Sequence, residues 1–458
     1  SLGSYYSAQE GPLQPKCIVK PETSIQVSKA VKVLTKTQAT NNQSCPFAVP
    51  GGDHTPYTGS GNIDGDITID LRSMRGITVN ESQGSVSLGP GLLWGEVYAK
   101  LDPLGISMTL CNTNVWLPGG ISLFSGRYGL VCDNVINYEI VLAGGRIINT
   151  NQHQHIDLRN ALHGGSNNFG MVTRFDLATF AQGNIWGGDI LYDFSTVPQQ
   201  LEAFLEFGSN QNYNEYAALF QVLGTQGGLY FVLGNPIYTK PEPYPPVFEK
   251  FIAISPQLSN TLRVDKLESL TNVTSSAAQT GHQNAFITTS FDSDLEFLQW
   301  VVGSWQNSSK RLDKVDGMSN SLLNQQFTSK VLSKAEPRGG NSLGLDSSRP
   351  IVVSPLAVTW TSAADNGIVM RAGTEFINDV EQEAKKRSVY RSFVYLNCAN
   401  VGQKVIERYG SVSNGQMWAV SSKYDPQRGF QDAVPGGFKL FRRSTTIFLS
   451  RFRRVASV

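Results

Sequence analysis

Leu117-Pro118-Gly119-Gly120-Ile121-Ser122-Leu123-Phe124-Ser125-Gly126-Arg127-Tyr128-Gly129, running on to Cys132-Asp133-Asn134-Val135, is the stretch that decides the fold. Its glycines let the backbone turn sharply and bring amides against a phosphate with no Cβ in the way. Upstream, a short apolar run at 47–49, read as a strand, enters a second turn of this kind, Pro50-Gly51-Gly52-Asp53-His54-Thr55-Pro56. Downstream, Asp157-Leu158 precedes Ala161-Leu162-His163-Gly164-Gly165-Ser166-Asn167-Asn168-Phe169-Gly170-Met171-Val172-Thr173. A fourth group follows far along the chain: Tyr395-Leu396-Asn397-Cys398-Ala399, then Tyr409-Gly410, then Lys423-Tyr424-Asp425-Pro426. One glycine-rich turn is usually only a turn. Four such segments, in this order and at these separations, are far more specific.

Around them the apolar spacing predicts an α+β protein. Helical periodicity covers 24–34, 92–101, 198–207, 247–254 and 295–305. Alternating or short apolar runs predict strands at 67–71, 77–79, 85–88, 138–142, 146–149 and 171–178, and later at 190–192, 219–223, 229–233 and 351–360. The middle of the chain reads as an antiparallel sheet with helices on one face. Residues 308–348 are polar, carry Gly339-Gly340, and read as a long loop or lid. At 458 residues, with 40% hydrophobic and 16% charged, the chain has ample material for more than one core. A net charge of +1 gives no field for nucleic acid or an acidic membrane surface. No apolar run is long enough to span a bilayer. Five cysteines and the sequons at Asn42, Asn80, Asn272 and Asn307 favour a secreted glycoprotein. His153 and His155 lack a third partner in the sequence, so no metal site is expected. The five arginines within 438–458 read as a solvated tail.

From 15 to 440 the four segments resemble the FAD-linked oxidases with a PCMH-type flavin domain, the berberine-bridge and vanillyl-alcohol-oxidase type, and most nearly their fungal branch. The resemblance implies a flavin domain in two parts, 1–185 and 399–445, a central substrate domain at 186–398, and a tail at 446–458. It implies FAD, held by Gly51, Gly52, Asp53, His54, Thr55, Gly119, Gly120, Gly126, Tyr128, Asn168, Phe169, Gly170, Val172 and Asn397. Here His54 matches the histidine that often bonds the flavin ring covalently, and His54 and Tyr395 are the expected catalytic residues. Cys17 and Cys45 match a disulfide pair of the fungal branch. The expected activity is oxidation of a small, largely apolar or polyketide-like natural product by hydride transfer, with O2 as the reoxidant and the protein acting as a monomer. Trp186, Tyr192, Phe220 and Tyr230 are candidate cavity aromatics.

The chain departs from that pattern at three places. Leu110-Cys111-Asn112-Thr113-Asn114-Val115-Trp116-Leu117 stands where relatives carry a glycine-rich loop. Asp53 replaces a glycine and brings a carboxylate towards a pyrophosphate, and Pro50 removes an amide donor. All three changes weaken a phosphate cradle. They keep open a second reading, a flavin-free family member that runs acid–base isomerisation or cyclisation in the vacated cavity.

Overall fold

The computed structural model describes residues 5–41, 45–52, 55–109, 120–209, 213–270 and 281–440. Among these residues the strands form three sheets. The first is parallel, in the order β1 (Cys17–Val19), β3 (Ile67–Ile69), β2 (Phe47–Ala48). A parallel pair needs a crossover, and the helix Ser24–Asn41 provides it. Its Val27, Val31 and Leu34, three to four residues apart, are buried with Phe47, Ile69 and Phe430.

The second sheet is antiparallel: β4 (Ile77–Val79), β5 (Ser85–Leu88), β9 (Met171–Ala181), β7 (Val135–Val141), β8 (Ile147–Asn151), with β6 (Ile106–Met108) also on β9. The third sheet is the large central one. It contains β10 (Ile185–Gly187), β11 (Ile190–Asp193), β12 (Ala217–Gln226), β13 (Leu229–Tyr238), β14 (Gln257–Asn260), β15 (Arg263–Asp265), β16 (Gln283–Phe291), β17 (Ser319–Phe327), β18 (Ile351–Trp360) and β19 (Tyr390–Arg391). Its main path runs β14-β11-β13-β12-β17-β18-β16-β19. The β12–β13 turn places Gly227 and Gly228 at φ +58 and +78, the left-handed pair that a tight hairpin requires.

Alternation along these strands gives the sheet two unlike faces. Leu219, Leu223, Ile287, Leu322, Leu356 and Val358 bury under the helices Val197–Phe207, Leu295–Lys310 and Asn366–Lys386. Ala218, Phe220, Phe286 and Val353 face the other way and join the core of the glycine-rich half. The helices therefore lie on one face, as the sequence predicts.

Two expectations are corrected. Residues 308–348 are not a lid: they contain β17, an inner strand between β12 and β18. Its polar side chains hide the pattern, yet they are paired. Asn320 accepts from Trp305 Nε1 at 3.0 Å and donates to Ser309 Oγ, while Asn324 donates to Gln221 Oε1 and accepts from Ser354 Oγ. Cys17 and Cys45 are free thiols. β3 stands between β1, which holds Cys17, and β2, which begins two residues after Cys45, with Ile67 paired to Cys17 on one side and to Phe47 on the other. Two strand spacings are roughly 9–10 Å, beyond the ~4.4–6.8 Å Cα separation of a disulfide.

Candidate functional site

A cavity opens between the first two sheets and the C-terminal segment, and four distant parts of the chain line it. The first is the glycine turn: Val49, Pro50, Gly51, Gly52, Thr55, Pro56, Tyr57, then Ser60 and Gly61. The Leu71 amide donates to Pro50 O at 3.0 Å and fixes the start of the turn. A Cβ on Gly51 would stand 3.1 Å from Pro90 O. Buried Glu10 reaches in from the N-terminus, where its Oε1 accepts the Gly61 amide at 2.7 Å and the Asn62 amide at 3.3 Å. Burial first, and the charge of Glu10 second, push the Tyr57 phenol well above its ordinary range.

The second part is Val131, Cys132, Val135 and Tyr138, from the 3-10 turn Cys132–Asn134 into β7. Behind it Asp133 is buried and accepts from the Leu130 amide at 3.0 Å and from Asn341 Nδ2 at 2.8 Å. Burial pushes this carboxyl up despite those donors.

The third part is Ser166, Asn167, Gly170, Met171 and Val172, ahead of and within β9. Gly170 allows strand contact, since a Cβ there would lie 2.7 Å from Val141 O. The fourth is C-terminal: Leu396, Asn397, Ala399, Phe430, Val434, Gly437 and Phe438. Phe438 packs edge-on against Tyr57 with centroids 6.0 Å apart.

Of the residues expected to hold a cofactor, Gly51, Gly52, Thr55, Gly170, Val172 and Asn397 line this cavity. Asp53, His54 and Gly119 lie outside the described residues, as does 110–117. Gly120, Gly126, Tyr128, Asn168 and Phe169 are not among the lining residues. Gly126 borders a smaller cavity with Ser125, Phe220 and Gln326. Asn168 is fully buried, with its amide donated to Gly165 O and Phe438 O and its Oδ1 accepting from Gln431 Nε2. Its neighbour Asn167 is the one that faces the cavity. Tyr395 does not line it either. Its hydroxyl accepts the Ile121 amide at 2.9 Å, and its ring meets Phe327 edge-on. Sequence reading missed Asn167, Ser166, Tyr138, Phe430 and Phe438 as wall residues. The Gly-Gly-Phe run at 436–438 was the one available signal for the last of these.

Of the candidate aromatics, Trp186 and Tyr192 are core, with Tyr192 donating to Phe251 O at 2.8 Å. Tyr230 packs edge-on to Trp305. Phe220 borders the smaller cavity. His155 lies against the Tyr424 hydroxyl at 3.1 Å, and among the described residues no three-residue metal cluster occurs. No helix among them is long and apolar enough to cross a membrane.

The lining side chains suit a flavin dinucleotide. Among the described residues they carry no charge: Thr55, Ser60, Ser166, Asn167 and Asn397 are neutral polar groups, and Trp94, Tyr138, Phe175, Phe430 and Phe438 are aromatic walls. Neutral donors and exposed backbone at a glycine turn match a pyrophosphate, and aromatic walls match the rings.

Comparison with known proteins agrees. The FAD binding domain family matches residues 15–151. The chain is 33% identical over 456 residues to an FAD-dependent monooxygenase of Cochliobolus heterostrophus, spanning 95% of this chain and 87% of that protein. It is likewise 33% identical over 456 residues, with the same coverage, to an FAD-dependent monooxygenase of Fusarium proliferatum. Among solved structures, wild-type BBE-like 1 of Physcomitrella patens superposes with a TM-score of 0.77 at 17% identity, over 96% of this chain and 94% of that one.

Proposed function

This chain belongs to the FAD-dependent oxidoreductase family of berberine-bridge-like fold, and from that premise we propose that it oxidises a small, largely apolar molecule, with O2 as the final oxidant. The observation that carries this reading is the uncharged inner face of the central sheet. On its four central strands the positions turned away from the helices include Ala218, Phe220, Val222, Phe286, Leu323, Val353, Pro355 and Ala357, with the neutral polar Asn284, Thr288, Ser290, Ser321, Gln325 and Thr359 among them and no charged residue. Phe220, Val222, Phe286, Leu323 and Ala357 are half-buried there. A charged substrate would shed its hydration on this face without gaining a partner. An apolar one gains roughly 25 cal/mol for each Å² it covers.

When bound, FAD supplies the acceptor for the hydride that leaves a substrate carbon. The chain's own residues bind and orient. Gly51, Gly52, Thr55, Ser166 and Asn167 offer the neutral donors of the dinucleotide site, and Gly170 and Val172 its close wall. Asn397 presents an amide from the turn that follows Tyr395. We assign His54 as the flavin tether. Tyr395, through the Ile121 amide, orients the turn after Gly120.

The test is the visible absorption spectrum of the purified protein, repeated on its acid-precipitated pellet. Flavin bands are expected, and bands that stay with the pellet and vanish in His54→Ala would make His54 the tether. Bands that wash into the supernatant would overturn the tether and leave FAD chemistry standing. A protein with no bands, even after added FAD, would overturn the oxidase reading in favour of acid–base isomerisation or cyclisation in the same cavity.

A further inference from the structure

Lys439 stands behind the wall of this cavity, bonded to two residues that line it, with no role in the chemistry above. The residue is only partly covered, while its amine sits deep among protein atoms. Nζ donates to Asn167 Oδ1 at 3.0 Å and to Phe430 O at 3.0 Å. The other end of the Asn167 amide donates to Gly436 O at 3.0 Å. Asn167, Phe430 and Gly437 all line the cavity. Between these bonds Gly437 takes φ +80, and a Cβ on it would fall 2.4 Å from Asn167 Oδ1. Glycine is therefore required for the C-terminal segment to close down on Asn167. A second stitch runs alongside: Gln431 Nε2 donates to Asn168 Oδ1, and Gln431 Oε1 accepts the Leu440 amide.

We propose that Lys439 is the positioning residue that latches the C-terminal segment onto Asn167, and that the cavity takes up and holds its flavin non-covalently, ahead of any bond to His54, only while this latch is closed. The proposal rests on flavin occupying this cavity. Its chemistry is consistent with the amine's surroundings. Burial pulls Lys439 down to about 7, with Asp425 and Asp432 pulling the other way. A neutral amine still has two N–H bonds for its two acceptors, so the latch does not depend on charge. It depends on a donor at the end of a long stem.

The test is the flavin-to-protein ratio of purified Lys439→Met, which keeps the stem and removes the donors, compared in the His54→Ala background so that no covalent bond masks a loss. Two acceptors lose their partners, and retention should fall about ten-fold or more. Lys423→Met, which removes an exposed lysine paired with Asp157, should keep the wild-type ratio. Asn167→Ala removes the latch acceptor together with a donor of the dinucleotide site and should lose at least as much flavin as Lys439→Met, and adding Lys439→Met to it should change the ratio much less than Lys439→Met does alone, because the contact between them is already broken. Hydrogen exchange supplies a readout separate from flavin. Residues 429–440 should exchange faster in Lys439→Met, while the core around Trp305 stays protected. Wild-type protein without flavin would fail the parent reading. Wild-type protein with flavin, together with an equal ratio and equal exchange on adding Lys439→Met to the His54→Ala background, would overturn the latch.

Discussion

The Tyr395 hydroxyl accepts the Ile121 amide across 274 residues of sequence, so one side-chain oxygen ties the C-terminal turn to the glycine-rich one. Tyr395→Phe keeps the ring against Phe327 and removes the hydroxyl. The Ile121 amide, which is partly buried, would be left without that partner at a cost of about 1–2 kcal/mol. The expected result is a lower urea midpoint with the flavin bands retained. An unchanged midpoint would show that the bond contributes nothing. The same scale explains what the sequence hid. The segment Asn167-Asn168-Phe169-Gly170 was legible as cofactor-binding, but not which asparagine faces inward. Ser166 sits at φ +57, and a left-handed residue breaks the alternation from which facing is read. Asn168 turned into the protein and Asn167 into the cavity. Phe430 had no usable local signature, and the Gly-Gly-Phe run at 436–438 was an ambiguous one for Phe438, because an aromatic residue beside a glycine is as often core as wall.

At the scale of elements, the connection from β17 to β18 behaves opposite to its composition. Polar, glycine-bearing chain suggests mobility, yet 336–346 is pinned to the cavity half by side chains. Arg338 donates to Tyr128 O and Asn134 Oδ1, Arg159 donates to Arg338 O at 2.9 Å, and Asn341 donates to buried Asp133. The Asp133 carboxylate also feels the Arg338 charge. Arg338→Met removes that charge and both donations, and a lost hydrogen bond from a charged group typically costs ~1.5–3 kcal/mol. Limited proteolysis should cut the variant within 336–346 under conditions that leave the native chain whole. Equal resistance would mean the remaining bonds hold the segment alone. The strands and helices that bury apolar side chains were readable from periodicity. β17 was not, because Asn320 and Asn324 stand at its helix-facing positions. Their partners, Trp305, Ser309, Gln221 and Ser354, come from other elements, so only the assembled sheet makes these polar residues acceptable in a core.

For the whole molecule, long-range polar contacts join parts that the sequence presents as separate. Gln9 exchanges hydrogen bonds with Asn284 of β16, and Glu10 holds Gly61 and Asn62. His163, at the end of the helix Ile156–Leu162, meets Gly340 through Nδ1, and its carbonyl accepts the Ser342 amide at 2.8 Å. This imidazole is fully buried, and desolvation first, then the Arg159 charge, pull it from 6.5 to about 3. The sign of the pH effect follows from that. Between about 6.5 and 3 the unfolded chain takes up a proton that the folded chain refuses, so stability falls as pH falls through this window. By pH 5 the loss from this residue alone is about 2 kcal/mol, at 1.36 kcal/mol per pH unit. Asp70, Asp157 and Asp176, all held low by their partners, add losses in the same direction below the carboxylate range, whereas Asp133 and Asp425, pushed up by burial, oppose them. Comparing the native chain with a variant that lacks only this imidazole cancels what those groups contribute. His163→Gln, which keeps a donor towards Gly340 and cannot titrate, should therefore lose less of its urea midpoint from pH 7 to 5 than the native chain does. A parallel decline in both would move the acid sensitivity of the joint between the two halves away from His163.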